Sequence, residues 1–130
     1  MKFISFKHNK EAKFGILNNQ LITDLTNKIS GTNTLKDLIA SKGISKAKKY
    51  AAENPGNIKL DEIEYMPLIP NPGKIICVGL NYSEHVKETN RTIEENPVIF
   101  HRFPESQTAH QQAIQRPVAS HSLDFEGEMA

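Results

Sequence analysis

Three carboxylates stand at every second position near the end of the chain: Asp124, Glu126 and Glu128 in the stretch LDFEGEMA. Alternate residues of a β-strand point to the same side and lie about 7 Å apart, so Glu126 and Glu128 would project in parallel. A divalent cation that prefers oxygen ligands, such as magnesium, manganese or calcium, would remove the repulsion between them. The spacing thus allows half of a metal site, although taken alone it is more typical of a charged, solvated strand.

A second pair with chemical potential is His85 and Glu88, three residues apart in YSEHVKE. On a helix this spacing places both side chains on one face, where the carboxylate can orient the imidazole and raise its basicity. Such a pair suits a general base acting through water. Taken alone it more often forms an ordinary exposed helix pair, but it follows a strand-ending glycine, Gly79, and such corners favour catalytic groups.

The remaining reactive side chains give weaker signals. Arg102 follows the apolar run VIF and is either a partner for an anionic substrate or an ordinary charge at a strand end. Tyr82 is of a type that packs more often than it reacts. Cys77, in the apolar run IICVG, is expected to be buried and unreactive. Three histidines without metal-ligand spacing are expected on the surface or in loops: His101, His110 and His121.

Length and charge limit the classes of function. The 130 residues suit one ordinary domain or two very small ones. The formal net charge of +1 gives no strong field that would draw the chain to nucleic acid or a membrane surface. No apolar run approaches the ~20 residues of a membrane span, and charges interrupt the N-terminus where a signal peptide needs an apolar core. We therefore expect a cytoplasmic protein that binds neither nucleic acid nor membranes.

The first half of the sequence predicts a small antiparallel β unit followed by two helices. Strands are expected at 2–6, 14–17 and 20–23, the last two joined by a tight turn at Asn18 and Asn19. The first helix should begin at a capping box of Thr34 and Asp37, carry the apolar stripe Leu35, Leu38 and Ile39, and close at Gly43. The second should occupy 45–53 and end before Pro55, with its lysines in solvent.

A proline-dense connector divides the chain. Pro67, Pro70 and Pro72 make residues 67–73 unsuitable for a central strand or a helix, which separates a small α+β domain at 1–66 from a second unit at 74–130. In that unit we expect a strand at 74–79 buried on both faces, a helix at 82–89 and a strand at 96–103. A polar loop with a short strand near Ile114 and an alternating strand at 123–130 should follow.

Taken together, these segments resemble the fumarylacetoacetate hydrolase family. PNPGKIICVGLNYSEHVKE resembles the opening signature of the family, NPVIFHRFPESQ its next strand and loop, and LDFEGEMA the start of its metal-binding strand. The resemblance covers residues 70–130, and nothing in 1–66 is diagnostic. It implies a β-rich α+β chain in which a small N-terminal unit precedes the opening part of the family's β-roll catalytic domain.

The resemblance assigns roles to the residues singled out above. Glu126 and Glu128 match two metal ligands for Mg²⁺ or Mn²⁺, and His85 and Glu88 match the pair that activates water. Members act on 2-oxo acids and acylpyruvates, and they are usually homodimers. The resemblance implies that this chain is a hydrolase that cleaves a carbon–carbon bond of an acylpyruvate or related 2-oxo acid, with an isomerase or decarboxylase of 2-oxo diacids as the alternative within the family. The metal would hold the substrate's carboxylate and 2-oxo oxygen. Two further residues, Arg102 and Tyr82, are candidates for binding the substrate on their residue type and position, not through the resemblance.

Two departures from the family pattern shape the expectation. In the family the last strand continues, and a third metal ligand, an aspartate, and a substrate-binding lysine follow; here the sequence stops at Ala130. We therefore expect an incomplete catalytic domain with impaired or no activity. The loop SQTAHQQAIQRP lacks the family's glycine and proline, so its turn should differ. The alternatives are a simple carboxylate metal binder and a non-catalytic module that pairs with another chain through an open sheet edge.

Overall fold

The computed structural model of the chain describes residues 1–82, 87 and 96–125. The larger of its two antiparallel sheets contains β1 (Lys2–His8), β2 (Glu11–Asn18), β3 (Leu21–Asp24), β4 (Ile58–Lys59) and β5 (Glu64–Tyr65) in the order β4-β3-β2-β1-β5. Two helices, α1 (Leu35–Ala40) and α2 (Ile44–Glu53), lie between β3 and β4 in the sequence. The smaller sheet pairs β6 (Ile75–Gly79) with β7 (Val98–Arg102). The expected α+β class is therefore confirmed.

Two tight hairpins build the first three strands. The β1–β2 turn has Asn9 and Lys10 at positive φ, and the β2–β3 turn has Asn19 and Gln20 at positive φ. Two left-handed central residues give a turn whose twist matches that of the flanking strands. The predicted second hairpin is confirmed, but its turn lies one residue later than expected because Asn18 still pairs across the sheet. The hairpin between β1 and β2 was not predicted from the sequence.

The larger sheet is strongly curled because its two edges are joined by a very short connection. A one-turn 3₁₀ helix (Leu60–Glu62) and Ile63 lead directly from β4 at one edge to β5 at the other. In a flat sheet these edges would lie about 19 Å apart, at ~4.8 Å per strand. A connection that contains a helical turn cannot span that distance. The edges must therefore approach each other around one side of the sheet.

The curl separates two apolar clusters, one on each face of the sheet. Alternate residues of the strands supply them, so that Phe6 points to one side while Phe14 and Ile16 point to the other. The enclosed cluster comprises Ile4, Phe6, Ile22 and Ile58, with Leu60 and Ile63 of the connection packed against it. The second cluster comprises Phe14, Ile16, Leu25, Leu35, Leu38 and Ala47, so it lies under the two helices.

The N-terminus of α1 forms the predicted capping box. The Thr34 hydroxyl accepts the Asp37 N–H at 3.1 Å, and the Asp37 carboxylate accepts the N–H groups of Thr34 and Asn33 at 3.0 and 3.1 Å. These bonds, first the one with Thr34, hold the pKa of the Asp37 carboxyl below its usual value. The short aspartate thus replaces the usual glutamate of this motif.

The C-terminus of α1 differs from the prediction. The left-handed residue is Lys42, whose N–H donates to Ile39 O, while the N–H of Gly43 donates to Leu38 O. This is the Schellman arrangement with lysine in the position that glycine usually takes. Gly43 is needed for a different reason, since a Cβ there would lie 2.7 Å from Leu38 Cδ1. Ile39, expected in the apolar stripe, is half exposed.

The second helix agrees closely with its prediction. It begins one residue earlier than expected, buries Ala47 against the second cluster and ends before Asn54 and Pro55. Its three lysines are exposed, as expected: Lys46, Lys48 and Lys49. No helix of the described residues is long and apolar enough to cross a membrane.

Side-chain hydrogen bonds to backbone carbonyls, with one backbone bond just before them, hold the proline-rich connector on the N-terminal unit. Residues 66–74 contain neither helix nor strand, as predicted. The buried Ser5 hydroxyl donates to Leu68 O at 2.6 Å, and Ser5 O accepts the Met66 N–H at 3.0 Å. Lys36 Nζ donates to Asn71 O at 2.9 Å. The division into domains at 67–73 stays a prediction.

The smaller sheet confirms two strands and corrects two expectations. Both β6 and β7 lie where strands were predicted, but β6 is not buried on both faces, since Ile76 is 65% exposed. No strand forms near Ile114, so that prediction is wrong. The predicted helix at 82–89 and the predicted strand at 123–130 lie largely outside the described residues, and positions 123–125 contain no strand.

A close crossing of backbones at Gly56 provides a test of this packing. A Cβ at Gly56 would lie 2.5 Å from the carbonyl carbon of Ile22, so Gly56→Ala must displace the segment that enters β4. We expect a loss of about 2 kcal/mol in the free energy of unfolding, measured by urea denaturation. Gly73→Ala is the matched control, because no atom lies within 4 Å of its added Cβ. Equal midpoints for the two variants would contradict the crossing.

Candidate active site

Four of the six predicted site residues lie outside the described residues: His85, Glu88, Glu126 and Glu128. The structure places the other two, Tyr82 and Arg102, on or next to the β6–β7 sheet. The β6–β7 sheet is therefore the part of the candidate site that the structure describes.

The end of β6 forms a sharp corner on the way to Tyr82. Gly79, the last residue of the strand, pairs with Val98, the first residue of β7. A Cβ on Gly79 would lie 3.3 Å from Val98 Cγ1, so a larger residue there would crowd the partner strand. Leu80 follows at a φ of +55°, which turns the chain away from the strand direction. A strand-end corner was expected here, and it is confirmed up to Tyr82.

Arg102 lies at the opposite end of the same sheet. It pairs with Ile75, which puts its backbone about 13 Å along the strand from the Gly79 corner, at ~3.3 Å per residue. Its guanidinium carbon lies 5.5 Å from the centre of the Phe100 ring, a cation–π arrangement that orients the cation along the strand. The residue is half-buried, whereas Tyr82 is exposed. The structure thus does not bring the backbones of these two residues together.

The face that Arg102 occupies also carries Cys77. Alternation along the strands places Cys77 and Phe100, which pair with each other, on the same side as Arg102 and Ile75. Cys77 is half-buried, not buried as expected. The opposite side carries Ile76, Val78, Ile99 and His101. His101, like His110 and His121, is exposed, as predicted.

The strongest ionic network of the described residues lies in the N-terminal sheet. Lys13 Nζ lies 3.1 Å from Asp24 Oδ2, and Asp24 Oδ1 accepts the Thr26 N–H at 2.8 Å. Burial opposes ionisation of Asp24, but the hydrogen bonds from Thr26 and Lys13 outweigh it and lower the pKa of the carboxyl. The hydrogen bond with Asp24 raises the pKa of Lys13. Thr26 Oγ1 also accepts the Phe14 N–H, so this network fastens β2 and is structural.

Acidification should therefore weaken the fold through Asp24. Its pKa is lower in the folded chain than in the unfolded chain, so its contribution is complete above about pH 4 and is lost as the pH falls through the folded-state value. We expect Asp24→Asn to lower the free energy of unfolding at pH 7 by about 1 kcal/mol, and the difference from the parent chain to shrink by pH 3. Urea denaturation at both pH values measures this.

The exposed Asp61 on the 3₁₀ helix offers a matched control for that experiment. Asp61→Asn should leave stability at pH 7 within about 0.5 kcal/mol of the parent chain. An Asp24→Asn variant with the same pH dependence as the parent chain would show that the network does not stabilise the fold.

The loop after β7 forms its turn despite lacking glycine. Gln112 donates its N–H to Ala109 O at 3.1 Å, and Gln111 takes the left-handed conformation at a φ of +62°. A glutamine therefore takes the left-handed conformation that a glycine would adopt without strain. In this loop the side chains of His110 and Gln112 contact Tyr65 of the N-terminal sheet. The sequence gives no signal for these contacts, which are distant along the chain.

Comparison with known proteins now identifies the second half of the chain. Residues 74–130, from the start of β6 to the end of the sequence, match the family model described as "Fumarylacetoacetate (FAA) hydrolase C-terminal". This segment belongs to the fumarylacetoacetate hydrolase family. The match includes every candidate site residue named above, and residues 74–130 are called the family segment below.

Several curated relatives are similar to the chain. A Rattus norvegicus protein named "Oxaloacetate tautomerase Fahd2a, mitochondrial" is 34% identical over 87 residues, which are 67% of this chain and 28% of the relative. A Xenopus laevis protein of similar name, fahd2, is 34% identical over 84 residues, 65% of this chain and 26% of the relative. An uncharacterised Archaeoglobus fulgidus protein is 36% identical over 73 residues, which are 56% of this chain and 29% of the relative. The chain thus spans under a third of the length of these relatives.

Proposed function

We propose that the chain takes part in metal-dependent chemistry of a 2-oxo acid. The observation that carries the proposal is the family match over 74–130, which includes Glu126, Glu128 and the pair His85 and Glu88. The two glutamates would hold Mg²⁺ or Mn²⁺, and their carboxylate oxygens are the donors that these ions prefer. The remaining coordination positions would fall to water, substrate or ligands from other polypeptide.

The reaction type that the relatives favour is tautomerisation. Two of those described above are named oxaloacetate tautomerases. In such a reaction a proton moves between a carbon and the oxygen of an enol, and the bound cation would stabilise the negative charge that develops on that oxygen. His85, oriented by Glu88, would take the proton from the carbon and deliver it to the enolate oxygen, or move it in the opposite direction in the reverse reaction. Arg102, half-buried on β7, would hold a substrate carboxylate.

Hydrolysis of a carbon–carbon bond in an acylpyruvate remains the second reaction type, and decarboxylation the third. All three pass through an enolate of a 2-oxo acid, so the same cation would serve each of them. His85 would take a substrate proton in tautomerisation and a proton of the attacking water in hydrolysis, and it would supply a proton to the enolate after CO2 leaves in decarboxylation. The family match supports the shared chemistry, and only the names of the relatives favour tautomerisation.

Binding of Mn²⁺ tests the proposed metal ligands. We expect a titration with Mn²⁺, followed by electron paramagnetic resonance, to show binding that Glu126→Gln with Glu128→Gln weakens at least about tenfold, because two anionic ligands are lost. Asp124→Asn is the matched control, since Asp124 belongs to the same acidic stretch and has no proposed ligand role. No Mn²⁺ binding by the parent chain, or equal loss in the control, would contradict the proposal.

A second candidate function is association through the β6–β7 sheet, and the exposure of its apolar residues favours it. Ile76 is 65% exposed, Ile99 56% and Phe103, which follows β7, 70%. A sheet of only two strands is marginal by itself, and exposed apolar residues that lie together mark interaction sites. We propose that a second copy of this chain covers this face. This face of the sheet carries Ile76, Val78, Ile99 and His101, so it has no formal charge apart from any on His101. Two identical copies of the face can therefore meet with few like charges in contact.

Light scattering across a range of concentrations tests this association. We expect the parent chain to associate as its concentration rises, and Ile99→Lys to remain monomeric, because a buried lysine without a partner is costly. Ile39→Lys is the matched control: the same substitution at a similarly exposed isoleucine, 50% against 56%, on α1. A parent chain that is monomeric at all concentrations, or an equal effect of both variants, would exclude the self-association.

A further inference from the structure

We propose that the N-terminal sheet holds the loop after β7 in place through two contacts with Tyr65, one from Gln112 and one from His110. These two contacts together are called the clasp. The observation behind this is that the Gln112 side-chain amide bonds in two directions. Its Oε1 accepts the Ala109 N–H at 3.3 Å, within the loop, and its Nε2 donates to Tyr65 O at 3.0 Å, on the sheet. The clasp concerns how the family segment is attached and holds for any of the reactions above.

Tyr65 is suited to this contact because it ends an edge strand. Within the described part of the chain, β5 pairs only with β1, through Phe6 and Lys7, and its other side is an open edge of the sheet. Met66 donates its N–H toward β1, to Ser5 O, and the backbone groups of successive strand residues point to alternate sides. The carbonyl of Tyr65 therefore points to the open side. There the Gln112 amide takes the place of a neighbouring strand.

A second contact of the clasp joins two rings. The imidazole of His110 lies edge-to-face with the Tyr65 ring, with 4.8 Å between centroids and 88° between planes. Aromatic pairs in this arrangement attract each other beyond the area that they bury. Ala109, next to His110, is only 6% exposed, and it is the one buried residue among the described residues of the family segment. The most buried of these described residues thus lies beside the contact with the N-terminal unit.

A local turn would not account for this arrangement. The turn itself requires only the Gln112 N–H bond to Ala109 O and the left-handed Gln111. The bond from Gln112 to Tyr65 joins positions 47 residues apart in sequence. Since Tyr65 is paired with Phe6, whose side chain is fully buried, the loop is connected directly to the enclosed apolar cluster.

The clasp gives the N-terminal unit a role in the family segment. The loop joins β7, which carries Arg102, to the acidic stretch that begins at Asp124. Fixing the middle of this loop limits the positions that its two ends can take. Gln112 and His110 are therefore positioning residues, acting through the loop and not on a substrate.

Gln112→Glu tests the clasp selectively. A carboxylate can still accept the Ala109 N–H, so the local turn is retained, but it cannot donate to Tyr65 O and repels that carbonyl. We expect amide hydrogen exchange over residues 104–112 to become roughly fivefold faster, because the loop leaves the sheet more often. With 3-fluorotyrosine incorporated, the ¹⁹F resonance of Tyr65 should also shift, since the imidazole moves away from its ring.

Controls and a second variant keep the test decisive. Gln115→Glu makes the same chemical change at an exposed glutamine of the same loop and should leave both measurements unchanged. His110→Ala should reproduce the faster exchange. Adding Tyr65→Leu to His110→Ala should cause little further change, because the two substitutions remove the same contact between the two rings. Exchange and ¹⁹F spectra of Gln112→Glu that match those of Gln115→Glu would overturn the clasp, as would strictly additive effects of His110→Ala and Tyr65→Leu.

Discussion

The short connection between β4 and β5 is the constraint on which the arrangement of the described chain depends. Because a single 3₁₀ turn joins strands at opposite edges, the sheet must curl, and the curl encloses the cluster around Phe6 and Ile22. The same connection places β5 at the open edge, where Tyr65 receives the loop from the family segment. The hydrogen bonds of Ser5 hold the start of the connector beside that edge.

The two halves of the chain differ in how their apolar residues are covered. The N-terminal unit buries its large side chains on both faces of a five-stranded sheet. The described part of the family segment forms a two-stranded sheet in which Ile76 and Ile99 remain more than half exposed. These exposed residues form the surface that the proposed second copy of the chain would cover.

Local rules predicted the elements whose causes are local. The Thr34–Asp37 capping box, the end of α2 before Pro55 and the strands β6 and β7 follow from neighbouring residues, and all four are observed. The family signature, too, is carried by contiguous residues, and the match over 74–130 confirms it.

Predictions failed where tertiary packing decides. Gly43 was expected to close α1, but the left-handed residue is Lys42, and Gly43 packs against Leu38. The apolar run of β6 indicated burial on both faces, yet burial depends on neighbours that the local pattern does not specify. The Gln112–Tyr65 bond joins distant positions and leaves no periodic pattern. Candidate site residues were recognised through the family resemblance, since their spacing alone was more typical of solvated surface.

We propose that the family segment takes part in the enolisation of a 2-oxo acid with a divalent cation. Proton NMR in deuterated water measures it directly, by following the loss of the C3–H signal of a 2-oxo acid such as oxaloacetate. We expect faster exchange with the chain and Mg²⁺ together than with Mg²⁺ alone, and a loss of that acceleration in His85→Asn. Exchange no faster than with Mg²⁺ alone, in a chain that binds Mn²⁺ through Glu126 and Glu128, would contradict it.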